Sequence, residues 1–284
     1  MPRAPMDWDN SMKPISLCFT IFDNYLYDLN LEVWVGSLIS YLEPFGISSG
    51  LTRVTLSRMF QQGWVSSRRV GQKSYYRMSD KGKKRILSNS TRLFGQEEKH
   101  WDRNWQIVAC DFTDVEKERC EAVTREFERI GFGYLGRSTW ISPFEQYGQL
   151  KMLVDEYDLQ NQVHIFSGAY EGMGSFHELI DKAWDVSGVN AMYQLFLDKF
   201  GQKFQHIHKL GVQNLLTETQ AFVERTLLVR EFYKLLFIDP HLPHELLPTG
   251  WVGEQARKLF RDYYEFVSPL AEKFFYNHLE STDS

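Results

Sequence analysis

The segment Leu51-Thr52-Arg53-Val54-Thr55-Leu56-Ser57-Arg58-Met59-Phe60-Gln61-Gln62, followed by Gly63-Trp64 and by Val65-Ser66-Ser67-Arg68-Arg69-Val70-Gly71-Gln72-Lys73-Ser74-Tyr75-Tyr76, decides how the first third of the chain is read. At about 100° per residue, its first piece places Leu56, Met59, Phe60 and Gly63 on one side of a helix. Arg53, Val54, Ser57, Arg58 and Gln61 occupy most of the other. One side is built to pack; the other carries cations, an amide and a hydroxyl without a single carboxylate. Gly63 ends the helix. The last piece sets β-branched and aromatic residues on both sides of a Gly-centred turn, which reads as a hairpin with a basic tip. A helix followed by a basic hairpin is the layout of a winged helix-turn-helix.

The flanking sequence agrees. Residues 14–27 read as a buried helix through Ile15, Leu17, Phe19, Ile21, Phe22, Tyr25 and Leu26, broken at Asp28-Leu29-Asn30. Residues 33–42 read as a second, amphipathic helix closed by Glu43-Pro44-Phe45-Gly46, and Ser48 and Ser49 are candidate caps for the third. Two helices joined by a short turn containing Gly make the helix-turn-helix connection. Beyond the hairpin, Ser79-Asp80-Lys81-Gly82 leads into a basic helix through Phe94, so the first domain is expected over residues 1–95.

Charge singles out the same region. Between Leu51 and Arg92 there are eleven Lys/Arg and one acid, Asp80, in a chain of net charge −5. The remainder therefore carries about fifteen net negative charges, and a basic island in an acidic protein suits a polyanion touched by one domain. Arg53 and Arg58 suit guanine edges or phosphates, Ser57 and Gln61 a base edge, and Val54 a thymine methyl. In the hairpin, Arg68, Arg69, Gln72 and Lys73 suit the sugar-phosphate backbone or the minor groove. The alternative, a helix face that packs another domain, fits poorly because interface cores are poor in charge.

At 284 residues the chain has room for two or three domains. Residues 96–172 follow the order β-α-β-β-α-β, with strands at 104–110, 133–135, 138–142 and 162–166 and helices at 114–130 and 143–157. That order is ferredoxin-like. Residues 173–284 show only helical periodicity, with Phe176, Leu179, Ile180, Ala183 and Trp184 in one stripe and Tyr193, Phe196, Leu197 and Phe200 further along. Phe222, Leu228, Phe232, Leu235 and Leu236 mark the inward face of a helix over 217–237. A Pro-punctuated turn follows, then a helix over 253–267 and a short one after Pro269. The fold class is α+β and multidomain.

Enzymatic constellations are thin. Asp111 ends a strand, where a carboxylate suits a metal-dependent nuclease, yet one carboxylate is too few for a divalent ion. Asp114 and Glu116 are equally at home at a helix N-terminus. His206, His208, His241 and His244 lack Cys partners and read as exposed loop histidines. The glycines of 168–174 lack a phosphate-loop Lys-Ser/Thr and read as a linker; Ser138 and Ser142 lack a His-acid context. No catalytic residue, metal or cofactor is assigned, and a regulator rather than an enzyme is expected. Cys18, Cys110 and Cys120 fit a reduced, cytoplasmic protein. Residues 1–11 are polar and acidic rather than a signal peptide, and no apolar run is long enough for a membrane partner.

Taken in order, Phe19-Thr20-Ile21-Phe22, Val33-Trp34-Val35-Gly36-Ser37-Leu38, Arg53-Val54-Thr55-Leu56-Ser57-Arg58, Gly63-Trp64 and Lys73-Ser74-Tyr75-Tyr76 resemble the PaaX family of bacterial repressors of phenylacetate-degradation operons. The segment Ile238-Asp239-Pro240-His241-Leu242-Pro243-His244-Glu245-Leu246-Leu247-Pro248-Thr249-Gly250-Trp251 resembles the C-terminal signature of that family. The resemblance implies a Cas2-like central domain and a helical C-terminal domain. It also implies a bacterial, DNA-binding homodimer that leaves its operator on binding an aryl- or acyl-coenzyme A thioester such as phenylacetyl-CoA. A two-fold dimer also follows from physics, since one recognition helix reads only a few base pairs. The effector assignment rests on the resemblance alone, because no motif marks residues for the coenzyme A phosphates.

Overall fold

A computed structural model of the chain describes residues 13–27, 29, 31–84 and 101–282. In chain order, α1 (Pro14–Ile21) runs into a π-helical turn (Phe22–Leu26), and β1 (Val33–Trp34) leads into α2 (Val35–Leu42). A 3-10 turn (Glu43–Phe45), α3 (Ser49–Gln61), β2 (Val65–Val70) and β3 (Lys73–Met78) follow. The middle of the chain holds β4 (Trp105–Cys110), α4 (Lys117–Arg129), β5 (Gly133–Gly136), β6 (Thr139–Ser142), α5 (Tyr147–Glu156) and β7 (Val163–Gly168). The last part is helical: α6 (Phe176–Trp184), α7 (Val186–Val212), α8 (Glu218–Ile238) and α9 (Gly253–Asn277). The expected basic helix through Phe94 is helical over the described residues 80–84, and the rest of it lies outside the described residues.

Two compact units emerge, neither a single continuous stretch. The first takes Met1–Gln96, Leu195–Leu236 and Glu254–Ser284; the second takes Glu97–Gln194 and Phe237–Gly253.

In the first unit, α1, α2 and α3 pack against one another beside a three-stranded sheet of order β1-β3-β2. Residues 33 and 34, expected to open the second helix, instead form β1, pairing with Tyr76 and Tyr75. Helix at this point would leave an edge of the hairpin without partners; strand pairing satisfies it. The core of this unit draws on both ends of the chain. The Tyr25 ring lies 5.0 Å from Phe222 and 5.2 Å from Phe275, and Tyr41 Oη donates to Phe275 O at 3.0 Å. Arg225 of α8, only 4% exposed, sits 4.5 Å from both the Tyr25 and Tyr264 rings. Its guanidinium donates to Asn24 Oδ1 at 2.8 Å, Tyr264 Oη at 2.5 Å and Glu272 Oε1 at 3.0 Å. The π-helical turn, a form that often marks special sites, is what presents Asn24 to this clamp. Arg225, Arg230 and Glu231 are buried together with the apolar residues of α8, so that helix is enclosed on more faces than its apolar stripe implied. The helix and short helix expected on either side of Pro269 are one element. Tyr263, Val267, Ala271 and Phe275 are buried on both sides of Pro269, and that packing outweighs one lost backbone bond.

The second unit contains an antiparallel sheet of order β5-β6-β4-β7, the ferredoxin-like arrangement of a β-α-β-β-α-β chain. One face is covered by α4 and α5 through Val108, Phe127, Trp140 and Leu150; the other gathers Trp105, Ile141, Ile180, Val186, Leu242 and Leu246. Alternation along β4 separates the two sets, as a strand buried on both faces requires. A Cβ on Gly133 would stand 2.4 Å from the Trp184 ring, so only glycine lets α6 approach β5 this closely. The helix expected from Pro143 begins at Tyr147. Ser142 Oγ accepts the Phe144 N–H at 3.1 Å and Gln106 Oε1 accepts the Gln146 N–H at 2.7 Å, holding the intervening residues out of the helix. Among the described residues no helix is long and apolar enough to cross a membrane.

Candidate nucleic-acid interface

The recognition candidate, α3, is fixed at both ends by its own sequence. Ser48 Oγ accepts the Leu51 N–H at 3.3 Å as the N-cap. At the other end, Trp64 N–H donates to Met59 O at 2.8 Å and Gly63 N–H to Phe60 O at 2.9 Å. With Gly63 at φ 73°, this is a Schellman stop in which glycine carries the left-handed residue. The buried side is Thr52, Thr55, Leu56 and Met59. The two threonines can be buried because Thr52 Oγ1 donates to Ser48 O at 3.1 Å and Thr55 Oγ1 to Leu51 O at 2.8 Å.

Two of the four residues expected on the packing side, Phe60 and Gly63, are exposed. Phe60, expected inward, is 52% exposed. Centring the stripe between Thr52 and Met59 swings Phe60 roughly 90° away, beside Arg53 and Ser57.

All five residues assigned to the outer side, Arg53, Val54, Ser57, Arg58 and Gln61, are exposed on α3. Among the described residues, Arg53 and Arg58 have no ion pair. The helix therefore presents two cations, an amide, a hydroxyl and apolar carbon on one rigid surface.

The hairpin differs. Its turn has positive φ at Gly71 only, at 59°, the pattern of a II′ turn with glycine in the first central position. Arg69 Nε donates to Gly71 O at 3.2 Å, and Gln72 is exposed at the tip. Arg68 and Lys73 are both exposed but both paired. Arg68 Nε and Nη2 reach Glu32 Oε2 at 2.6 Å. Lys73 Nζ reaches Glu280 Oε1 at 2.6 Å and lies 4.7 Å from the Trp34 ring centre, while Tyr75 Oη donates to the same Glu280 oxygen at 3.0 Å. Lys73 holds the Glu280 carboxyl below the usual carboxylate range, and Glu280 in turn raises the ammonium. Glu32 and Glu280 went unseen in the sequence because neither lies inside the basic segment; Glu280 follows Lys73 by 207 positions. Lys81 is a further cation here, 4.4 Å from the Trp64 ring centre and donating to Gln62 O at 2.9 Å.

The other candidates resolve locally. Asp111 Oδ1 accepts from Thr113 N–H at 3.0 Å and Thr113 Oγ1 at 2.5 Å, which keeps its carboxyl below the ordinary range. It shapes a turn ahead of α4. Asp114 and Glu116 are exposed in the same turn. His206 and His208 are exposed but lie on α7 rather than in a loop, with His208 stacked 4.8 Å from Phe266. His241 is partly buried, with Nδ1 3.5 Å from Asp239 Oδ2, and Asp239 also accepts from Tyr193 Oη at 2.6 Å. These contacts tie down the Pro-punctuated segment, so His241 is structural where an exposed histidine was expected. Among the described residues, no three His, Cys, Asp or Glu are grouped to hold a metal ion.

Three family models match the chain in order over most of its length. The PaaX-like protein family model matches residues 13–82, the PaaX protein central Cas2-like domain model residues 98–180, and the PaaX-like protein C-terminal domain model residues 184–277. Transcriptional repressor PaaX of Escherichia coli (strain K12) is 28% identical over 262 residues, covering 91% of this chain and 82% of its own length. A solved structure of an uncharacterized protein from Mycobacterium tuberculosis shares the fold. Its TM-score is 0.61 at 22% identity, over 93% of this chain and 99% of that one. Matched in order by all three segments of the family, the chain belongs to the PaaX-like protein family.

Proposed function

We propose that this protein is a DNA-binding transcriptional repressor of an aromatic-acid, phenylacetate-type catabolic operon. It acts as a homodimer and is released from its operator by an aryl- or acyl-CoA thioester such as phenylacetyl-CoA. The observation that carries the reading is the outer side of α3, where Arg53, Ser57, Arg58 and Gln61 stand exposed on a helix capped at both ends. Rigid placement of bidentate and amide groups is what base-edge readout needs. The name of the Escherichia coli relative supports repression rather than catalysis. In the second unit, a depression of about 350 Å³ is lined by Ile180, Val186, Leu246 and Pro248 together with polar residues. Its carboxylates Glu178 and Asp181 are unsuited to the coenzyme A phosphates.

Fluorescence anisotropy with duplexes from the promoter regions around the gene tests the reading. Tight, sequence-dependent binding is expected, weakened by phenylacetyl-CoA because the effector must favour the DNA-incompetent arrangement. Arg58→Ala should cost roughly 1–3 kcal/mol on the preferred duplex and relax discrimination, whereas Lys73→Ala, whose ammonium is already paired with Glu280, should weaken all sequences alike and by less. Equal affinity of both variants and the parent for every duplex would remove α3 and the hairpin from the interface.

A further inference from the structure

The residues after α9 return to the hairpin. Trp34 N–H donates to Glu280 O at 2.9 Å, Thr282 N–H to Glu32 O at 3.2 Å, and Ser281 pairs antiparallel with Val33. Glu280 N–H donates to Ser37 Oγ at 2.9 Å. These bonds add the chain terminus to the open side of β1, as an outer segment of the hairpin sheet. They also fix the Glu280 side chain, which delivers a carboxylate oxygen to Lys73 Nζ at 2.6 Å and Tyr75 Oη at 3.0 Å. The exposed ammonium of Lys73 and the hydroxyl of Tyr75, whose ring is buried in the hairpin sheet, converge on one anionic oxygen, the donor set that a nucleic-acid phosphate oxygen would take. The ring of Trp34 completes the setting, because Gly36 leaves it room: a Cβ there would stand 2.1 Å from the ring.

We infer that Glu280 is an internal competitor for the DNA backbone, occupying the place of a phosphate oxygen on Lys73 and Tyr75 and lowering affinity for DNA of any sequence. This rests on the DNA-binding reading above and deepens it. A phosphate reaching Lys73 must displace a carboxylate already there, so the hairpin adds little to sequence-independent binding until the tail yields. Arg53 and Arg58 on α3 have no such competitor among the described residues, and sequence-dependent contacts there keep their full weight. Glu280 thus trims the sequence-independent part of binding, for operator and random duplex alike. Asn277 ends α9 three residues before it, so a shift of that helix reaches the hairpin through a short, hydrogen-bonded link.

Glu280→Gln in the full chain removes the charge while keeping an oxygen to accept from Lys73 and Tyr75. Its affinity for a random-sequence duplex, and for heparin as a second polyanion, should rise roughly two- to fivefold, the range of an exposed ion pair. The slope of log affinity against log salt should steepen by about one, as Lys73 becomes free to displace counterions. Operator affinity should rise by the same factor as that of the random duplex, leaving the specificity ratio unchanged. Lys73→Ala should cost more in the Glu280→Gln background than in the parent, and that coupling separates charge competition from loss of the fold. Unchanged or weaker heparin binding by Glu280→Gln, with its circular dichroism melt intact, would overturn the inference, as would additive effects of the two substitutions. Heparin binding registers hairpin charge whether or not an operator exists. Failure of the repressor reading would instead appear as a parent protein that binds all duplexes alike.

Discussion

At the level of single residues, the candidate interface depends on backbone positions that carry no DNA-facing atoms. Gly63 holds φ at 73° where α3 stops, and its N–H and that of Trp64 close the last turn on Phe60 O and Met59 O. An L-residue there is strained, so Gly63→Ala should destabilise the first unit by about 1 kcal/mol. A urea melt followed by far-ultraviolet circular dichroism should show a lower midpoint with unchanged slope; a midpoint equal to the parent's would mean the stop tolerates Ala. Thr52 and Thr55 show why the packing side of α3 could not be read off hydrophobicity. Their hydroxyls are spent on backbone carbonyls within the helix, so each presents a methyl group to the core. Phe60, the larger apolar residue, is left outside.

Elements with a strong internal period were legible, and those defined by distant partners were not. The helix-and-hairpin unit showed itself in a 3.6-residue pattern, two turn glycines and β-branched and aromatic residues on both sides of the second, and the strand order of the central sheet followed from β-α-β-β-α-β. The five exposed residues of α3 were legible for the same reason. By contrast β1 is two residues long and exists because β3 on one side and the chain terminus on the other supply its partners. The Glu280 contact was invisible because sequence patterns report neighbours along the chain. The Arg225 clamp belongs to this second class. It joins the π-helical turn to α8 and α9 through Asn24, Tyr264 and Glu272, with the guanidinium between two tyrosine rings. Arg225→Leu should cost about 2–4 kcal/mol, since Asn24 and Tyr264 lose a buried donor while Glu272, half exposed, is re-solvated. Thermal melts would check this; a variant as stable as the parent would show the clamp to be ornamental.

On the scale of the whole molecule, the linear order of the family segments and the assembly of the compact units are different things. The winged helix-turn-helix shares one unit with residues 195–236 and 254–284. Its second helix sends Tyr41 Oη to Phe275 O, its π-helical turn sets Tyr25 against Phe222 and stacks it on Phe275, and β1 takes Ser281 as a strand partner. Cutting the chain after residue 95 would expose these rings and leave the Trp34 N–H without Glu280 O. Each buried aromatic ring left bare forfeits about 1.5–3 kcal/mol, a large share of the stability of a small domain. Fragment 1–95 expressed alone should therefore lack a cooperative thermal transition and give poorly dispersed amide resonances, whereas the full chain melts cooperatively. Its DNA binding should be weak and indifferent to sequence, because α3 is held in place by α1 and α2, and they in turn by α8 and α9. A fragment that unfolded cooperatively near the full chain's Tm would show that the C-terminal helices only shelter the winged helix-turn-helix. If the fragment unfolds as expected, those helices are part of that unit's core, and any ligand that moves them acts on α3 through α1 and α2.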